Sequence, residues 1–97
     1  MRTRYLLCYD VRDDVRLRRA ERVADEFGYR LQYSVFICDL SDVERTRLEQ
    51  AVRNVVNFAE DRVVLVELGP PSTAKHRLHW LTLPSPVLHE PTDSLIV

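Results

Sequence analysis

The chain has 97 residues, 45% of them hydrophobic and 30% charged, which is the composition of an ordinary globular protein. This length predicts one domain with a limited hydrophobic core. No apolar run approaches the ~20 residues of a membrane-spanning helix, so we expect no membrane association. The net charge of −1 argues against a general nucleic-acid coat, although residues 1–30 hold eight arginines against six acidic residues.

Both cysteines, Cys8 and Cys38, lie inside apolar runs, where a thiol usually behaves as a small hydrophobic group. The N-terminal segment enters a strand directly and shows no signal-peptide cleavage site. The sequence also lacks the closely spaced Cys or His pairs of a metal site built on those residues. We therefore expect a cytoplasmic protein with reduced thiols.

The first predicted strand ends on a carboxylate. Residues 5–9 form an uninterrupted apolar and aromatic run, which is typical of a strand buried on both faces. Asp10 follows where this strand should end. It either terminates the strand and caps the next turn, or it presents a rigidly held carboxylate to water or a metal ion. The pattern alone leaves both interpretations open.

The first helix is predicted from Val15 to Phe27, with aspartates of the preceding loop as its cap and Gly28 just beyond its end. Its apolar residues follow helical spacing and form one stripe: Leu17, Ala20, Val23, Ala24 and Phe27. Three arginines lie off this stripe and face either solvent or a partner: Arg18, Arg19 and Arg22.

Residues 29–40 are rich in β-branched and aromatic side chains, which predicts strand structure. We divide them into a short strand over 30–33 and a longer one over 34–39. A tight turn or bulge near Tyr33-Ser34 would join the two strands.

Ser41 and Glu44 match a capping box, which predicts a second helix that reaches about Val56. Residues 62–68 then predict a further strand with a continuous apolar centre. The resulting order, βαββαβ, predicts an α+β fold of the ferredoxin-like type. Its two helices would cover one face of the sheet.

The other sheet face has no helix to cover it. We expect this open face to carry residues such as Tyr9, Phe36 and Val64, although the strand register decides which of them point that way. In a chain this short, a second copy is the simplest cover. The sequence therefore predicts a homodimer through the sheets.

The ordered set of these motifs resembles the CRISPR-associated protein 2 family over residues 4–68. The resemblance implies a ferredoxin-like homodimer that works in spacer acquisition beside the integrase, CRISPR-associated protein 1. Family members are described as metal-dependent endonucleases on RNA or DNA, or as scaffolds for the integrase. The motifs that carry the resemblance are Tyr9-Asp10, Arg16-Leu17-Arg18-Arg19, Gln32-Tyr33-Ser34-Val35-Phe36 and Asp39-Leu40-Ser41.

The resemblance implies that Asp10 is the catalytic, metal-binding position, with Mg²⁺ as the metal. Some members carry an arginine where this chain has Leu17, and Arg16 or Arg18 would then substitute. We assign nucleic-acid contacts to five arginines, two of which match basic positions of the family: Arg16, Arg18, Arg19, Arg22 and Arg30. Support of the site or of the dimer is assigned to three further residues: Tyr9, Ser34 and Phe36.

The implied chemistry suits the residue types. Mg²⁺ binds carboxylate oxygen and keeps several waters, so one or two carboxylates suffice. A two-fold axis would bring Asp10 and its mate together in one site. The competing hypotheses are a non-catalytic DNA-binding adaptor for the integrase, a small-ligand regulatory module and a toxin-type ribonuclease on a similar fold.

The predicted domain covers residues 1–68, and residues 69–97 are predicted to be a tail that begins with a linker over 69–72. The tail is too apolar for a disordered segment. We expect Leu78–Leu83 to add as an extra strand to the sheet of a second copy, and Ser94–Val97 to extend a sheet of the integrase. The alternative is that the tail folds back on its own protomer.

Overall fold

The computed structural model describes residues 1–82, which form an α+β fold of four strands and two long helices. In chain order these elements are β1 (Thr3–Asp10), α1 (Asp14–Phe27), β2 (Tyr29–Gln32), β3 (Val35–Leu40), α2 (Asp42–Arg53) and β4 (Arg62–Gly69). A short helix, α3 (Pro71–Ala74), and a 3₁₀ turn (Lys75–Arg77) follow. The predicted βαββαβ order is confirmed.

The strands form one antiparallel sheet in the order β2-β3-β1-β4. This order confirms the ferredoxin-like fold and places β4 at a sheet edge. The strand that ends in Asp10 is central, since β1 pairs with β3 on one side and with β4 on the other. Two neighbours therefore hold the backbone that presents Asp10.

Aspartate caps the first helix, as predicted. The Asp13 carboxylate accepts a hydrogen bond from the Arg16 amide at 3.0 Å, which satisfies an amide that the helix leaves free. Gly28 follows α1, but its φ of −164° is extended rather than left-handed. A Cβ on Gly28 would lie 2.1 Å from the Ile37 carbonyl oxygen. Glycine is needed here because the backbone passes so close to β3.

The two other local predictions are also confirmed. A tight turn at Tyr33-Ser34 joins β2 to β3. In the capping box of α2, the Ser41 hydroxyl accepts from the Glu44 amide at 3.2 Å, and the Glu44 carboxylate accepts from the Ser41 amide at 2.9 Å. These interactions fix the start of α2 directly after β3.

The second helix ends at Arg53 rather than near Val56. The amides of Val55 and Val56 both donate to the Val52 carbonyl, so the chain tightens and leaves the helix. Adjacent β-branched valines favour a helix only weakly. The side chain of Asn57 then accepts two amide hydrogen bonds and shapes the loop that leads to β4.

The two faces of the sheet differ in cover. The helix-covered face holds the main core, which includes Tyr5, Leu7, Tyr9, Phe36, Cys38 and Leu40 of the sheet with Ala20, Ala24 and Leu48 of the helices. The open face carries the alternate residues of β1, which are Leu6, Cys8 and Asp10. The expectation for the open face is therefore wrong for Tyr9 and Phe36 and correct for Val64, which is 55% exposed.

The segment after β4 differs from the predicted linker. Gly69 ends β4 with φ 101°, a left-handed conformation that favours glycine. Pro71 then starts α3, where its missing amide costs nothing. Ala74 of α3 is fully buried. The chain therefore stays packed against the domain after the prolines.

The residues beyond α3 lie back over the open face. Leu78 and Trp80 pack with Leu31 and Ile37, beside β2 and β3. Residues 78–82 form no strand in the single chain, and the remainder of the predicted tail, from Leu83 on, lies outside the described residues. Strand addition to a second copy or to the integrase stays a prediction.

Within residues 1–82, no helix has the length and apolar content to cross a membrane. Both cysteines are unpaired thiols. Cys38 is wholly buried, and this burial raises the pKa of its thiol to about 12. Cys38 therefore behaves as the small hydrophobic residue that the sequence predicts.

Candidate metal and nucleic-acid site

Asp10 is the exposed last residue of β1. Its carboxylate lies on the open face, because strand residues alternate and Leu6 and Cys8 share that face. Within residues 1–82, no hydrogen bond or ion pair engages it. Asp10 can therefore bind a cation without giving up an existing partner.

A single chain offers few metal ligands at this position. Residues 1–82 contain no group of three or more His, Cys, Asp and Glu side chains that could hold a metal ion. Mg²⁺ nevertheless binds proteins through one or two carboxylates and fills its other positions with water or phosphate oxygen. Asp10 fits one ligand position of such an ion, and the others would fall to water, substrate or a second copy.

Arg62, which the sequence did not single out, is the nearest cationic neighbour of Asp10 in the sheet. It is the Cα partner of Asp10 across β1 and β4, and it is exposed. Directly opposite residues share a face, with Cβ atoms about 4.5–5.5 Å apart. The sequence could have identified Arg62 as this neighbour, because the first and last strands of a βαββαβ fold pair antiparallel and the start of one lies beside the end of the other.

Three predicted site residues support the β2–β3 turn, from the face opposite to Asp10. The Tyr9 and Phe36 rings stack with centroids 6.2 Å apart, and the Arg30 guanidinium lies 5.0 Å from the Phe36 centroid. Arg30 also donates to the Tyr33 carbonyl at 2.7 Å and pairs with Glu21 at 3.2 Å. Arg30 is therefore largely engaged inside the protein.

Tyr9 and Ser34 complete this support. The Tyr9 amide donates to the Ser34 carbonyl at 3.0 Å, and the Tyr9 hydroxyl donates to the Tyr33 carbonyl at 3.4 Å. Burial, followed by the charge of Glu21, raises the pKa of Tyr9 to about 12. Its hydroxyl keeps its proton at neutral pH and acts as a donor rather than as a base.

Arg16 binds an internal carboxylate. Its Nε donates to Asp61 Oδ2 at 2.9 Å and its Nη2 to Asp61 Oδ1 at 3.2 Å, with a further bond to Glu60 at 3.0 Å. The hydrogen bonds from Arg16 hold the pKa of Asp61 well below its usual range. This pairing gives Arg16 a structural role in the single chain and uses three of its five N–H donors, so Arg16 has fewer donors for a phosphate than an exposed arginine has.

Arg18, Arg19 and Arg22 are exposed, and no hydrogen bond or ion pair within residues 1–82 engages them. Their spacing puts them on the side of α1 away from Ala20 and Ala24, which face the core. This outer face of α1 and the open sheet face are on opposite sides of the protomer. The structure therefore does not bring these three arginines together with Asp10.

The fold and the exposed carboxylate define a ferredoxin-like protein with a candidate cation site at the end of its central strand. The sequence model of one family, described as CRISPR associated protein Cas2, matches residues 1–76. The chain belongs to this family, as the order of its motifs indicated.

Related proteins agree with this placement. The CRISPR-associated endoribonuclease Cas2 of Geobacter sulfurreducens is 38% identical over 74 residues, which is 76% of this chain and 78% of that protein. The CRISPR-associated endoribonuclease Cas2 2 of Synechocystis is 35% identical over 94 residues, 96% of this chain and 97% of that protein. The crystal structure of Streptococcus pyogenes Cas2 has a TM-score of 0.72 at 24% identity, covering 81% of this chain and 99% of that one. The structural likeness shows the fold alone.

Proposed function

We propose that the chain is a homodimeric, Mg²⁺-dependent endonuclease of the Cas2 family that hydrolyses phosphodiester bonds in RNA or DNA during spacer acquisition. The observation that carries this proposal is the exposed carboxylate of Asp10 at the end of the central strand, which no hydrogen bond or ion pair engages in the described part of the chain. The printed names of the related proteins, CRISPR-associated endoribonuclease Cas2, favour RNA as the first substrate to test.

The open sheet face supports the dimer. Val64 and Val66 of β4 are exposed on this face beside Leu6 and Cys8 of β1. Within residues 1–82, Leu78 and Trp80 pack on the β2–β3 half, which leaves the β1–β4 half for a second copy. A two-fold axis on that half, if it runs parallel to β1, would place the two Asp10 carboxylates at the same end of the shared interface.

The residues fit the chemistry of hydrolysis by a bound cation. Mg²⁺ would lower the pKa of a bound water and offset negative charge on the phosphate. Asp10 would hold the ion at the end of a strand that is paired on both sides. The Tyr9–Phe36–Arg30 group would keep the neighbouring turn fixed, because its hydrogen bonds end on the Tyr33 carbonyl.

The deciding experiment compares wild type with Asp10→Asn on single-stranded RNA and on duplex DNA, with Mg²⁺ and with chelator. We expect Mg²⁺-dependent cleavage by wild type and a loss of at least about a hundredfold in the variant, because the carboxylate is a direct ligand. Asp25→Asn, which changes an exposed carboxylate of α1, is the matched control and should cleave like wild type. Undiminished cleavage by Asp10→Asn would refute the assignment.

A second candidate function is a non-catalytic adaptor that binds DNA and docks CRISPR-associated protein 1. The outer face of α1 favours it, because three arginines that have no partner among residues 1–82 lie there away from Asp10. Under this alternative, wild type shows no Mg²⁺-dependent cleavage but binds duplex DNA and the integrase. In either case we propose that the protein works with the integrase in the cytoplasm, where its two thiols would stay reduced.

A further inference from the structure

Tyr33 presents an aromatic ring to solvent from a turn that is held in place. The residue is 88% exposed at the β2–β3 turn. Its carbonyl oxygen accepts hydrogen bonds from the Arg30 guanidinium at 2.7 Å and from the Tyr9 hydroxyl at 3.4 Å. The adjacent Ser34 carbonyl accepts from the Tyr9 amide at 3.0 Å. The ring thus projects from a fixed backbone, so little conformational entropy is lost when it contacts a ligand.

This turn lies at the same end of the sheet as Asp10. The bond between Ser34 and Tyr9 connects the turn to the residue directly before Asp10. The next residue, Val35, begins β3 opposite Cys8 of β1. The Tyr33 backbone is therefore about one strand spacing, ~4.8 Å, to the side of the strand that carries Asp10.

Arg62 occupies the other side of Asp10. It begins β4 as the Cα partner of Asp10 and is exposed. One of its guanidinium nitrogens donates to the Asp61 carbonyl at 3.0 Å, which orients the side chain. Arginine has five N–H donors, and among residues 1–82 the Arg62 side chain makes this one hydrogen bond, so most of its donors remain for a phosphate.

On the basis of the proposed function, we propose that Tyr33 and Arg62 bind the substrate strand on either side of Asp10. Tyr33 stacks on an unpaired base, and Arg62 binds a phosphate. The turn that carries Tyr33 leads into β3, and Arg62 begins β4; these two strands are two strand spacings apart, about 10 Å, which a segment of a few nucleotides can cover. In a duplex the base faces are already stacked, so the Tyr33 ring selects an unpaired nucleotide.

The stacking role of Tyr33 is tested by binding to a labelled single-stranded RNA of about 10 nucleotides. Affinity is measured by fluorescence anisotropy in the presence of chelator, so that no cleavage occurs. We expect Tyr33→Ala to lower the affinity about tenfold and Tyr33→Phe, which keeps the ring, to bind within about twofold of wild type. A matched oligonucleotide with abasic sites should bind Tyr33→Ala and wild type equally. Equal affinity of Tyr33→Ala and wild type for the intact RNA would overturn the stacking role.

Salt dependence tests Arg62 separately. Removing one phosphate contact to a single strand should lower the slope of log affinity against log salt by about 0.7. We expect this change in Arg62→Ala but not in Tyr33→Ala, which loses no charge. Arg47→Ala, which removes an exposed arginine of α2, is the control and should keep the wild-type slope. An unchanged slope in Arg62→Ala, or the same decrease in Arg47→Ala, would refute a specific phosphate contact at Arg62.

The binding measurements and the cleavage assay test separate claims, so either claim can be wrong while the other holds. If Asp10→Asn is inactive while Tyr33→Ala and Arg62→Ala bind like wild type, the endonuclease assignment holds and this inference is wrong. If Asp10→Asn cleaves normally, the proposed mechanism is wrong, and the chelator measurements still decide the roles of Tyr33 and Arg62. Equal thermal unfolding midpoints of the variants would show that the exposed substitutions leave the fold intact.

Discussion

The Arg16 guanidinium donates two hydrogen bonds to the buried carboxylate of Asp61, a residue 45 positions away in the sequence. The same carboxylate accepts the Arg12 amide at 3.0 Å and the Asn57 amide at 2.8 Å. Asp61 therefore joins three segments: the loop after β1, the start of α1 and the loop before β4. Two of these segments flank the Asp10–Arg62 pair, so Asp61 connects the loop that follows Asp10 to the residue that precedes Arg62.

Asp61→Asn should destabilise the fold and make its stability less sensitive to acid. The folded pKa of Asp61 lies below the unfolded value of about 3.9. Its contribution to stability is therefore fully present above about pH 5 and is lost as the pH falls through the folded pKa. Thermal unfolding midpoints measured from neutral pH down to about pH 3 should fall steeply in wild type and less steeply in Asp61→Asn.

A smaller acid dependence should remain in that variant. The hydrogen bond from the Ser41 amide, followed by that from Arg2, lowers the pKa of Glu44 as well. The thermal unfolding midpoint of the double variant Asp61→Asn, Glu44→Gln should therefore change even less with pH. If the midpoints of wild type and Asp61→Asn decrease in parallel, Asp61 is not the acid-sensitive group.

Gly28→Ala should destabilise the protein more than Gly69→Ala. The new Cβ at position 28 would meet the Ile37 carbonyl oxygen at 2.1 Å and Cys38 Sγ at 2.7 Å, and neither atom can move freely. Overpacking of this kind costs about 1–3 kcal/mol. At Gly69 the nearest atom to the new Cβ would be Thr73 Oγ1 at 4.0 Å, an ordinary contact, so the cost is the left-handed φ alone, about 1 kcal/mol. Chemical denaturation of both variants checks the order, and a reversed order would contradict the close approach at Gly28.

Val64→Arg should dissociate the proposed dimer. Val64 is 55% exposed on the open face, and a charged side chain there would be buried without a partner by a second copy. We expect the dimer dissociation constant, measured by sedimentation equilibrium, to rise at least about tenfold. Val43→Arg is the control, since Val43 is 61% exposed on α2. A Val64→Arg protein that dimerises like wild type would place the interface elsewhere.

Arg18→Ala and Arg22→Ala should weaken binding to duplex DNA without impairing cleavage by bound enzyme. Each phosphate contact removed should lower the slope of log affinity against log salt by about 0.9. These arginines lie on the outer face of α1, so the single-turnover cleavage rate at saturating substrate should stay at the wild-type value. Slopes that do not change in either variant would leave both arginines as ordinary solvated charges.

Elements with strong local signals could be predicted from the sequence. The capping box at Ser41, the aspartate cap of α1 and the apolar run before Asp10 each involve residues within a few positions of one another. The helix start at Pro71 had a local signal as well, since proline favours the first helical turn, but the two consecutive prolines favoured a linker instead.

The faces of the sheet could not be predicted in the same way. Tyr9 and Phe36 lie under the helices because β1 and β3 pair in one particular register, and a shift by one residue would reverse both faces. Arg16 offered no local sign of its partner Asp61, because tertiary folding alone brings them together. Asp10 was singled out by its position after a buried strand, and the family motif then assigned its metal-binding role.

The strict alternation of β1 has a genetic consequence. Loss or gain of a single codon between Leu6 and Cys8 would move Asp10 toward the core and the Tyr9 ring to the outside, even though every remaining residue would be unchanged. The loop over residues 54–61 has no such alternation of faces, so its length is limited by the contacts to Asp61 and by the packing of Val55 and Val56 on the core. In natural relatives of this gene, we therefore expect insertions and deletions to accumulate in that loop and to be excluded from the codons of β1.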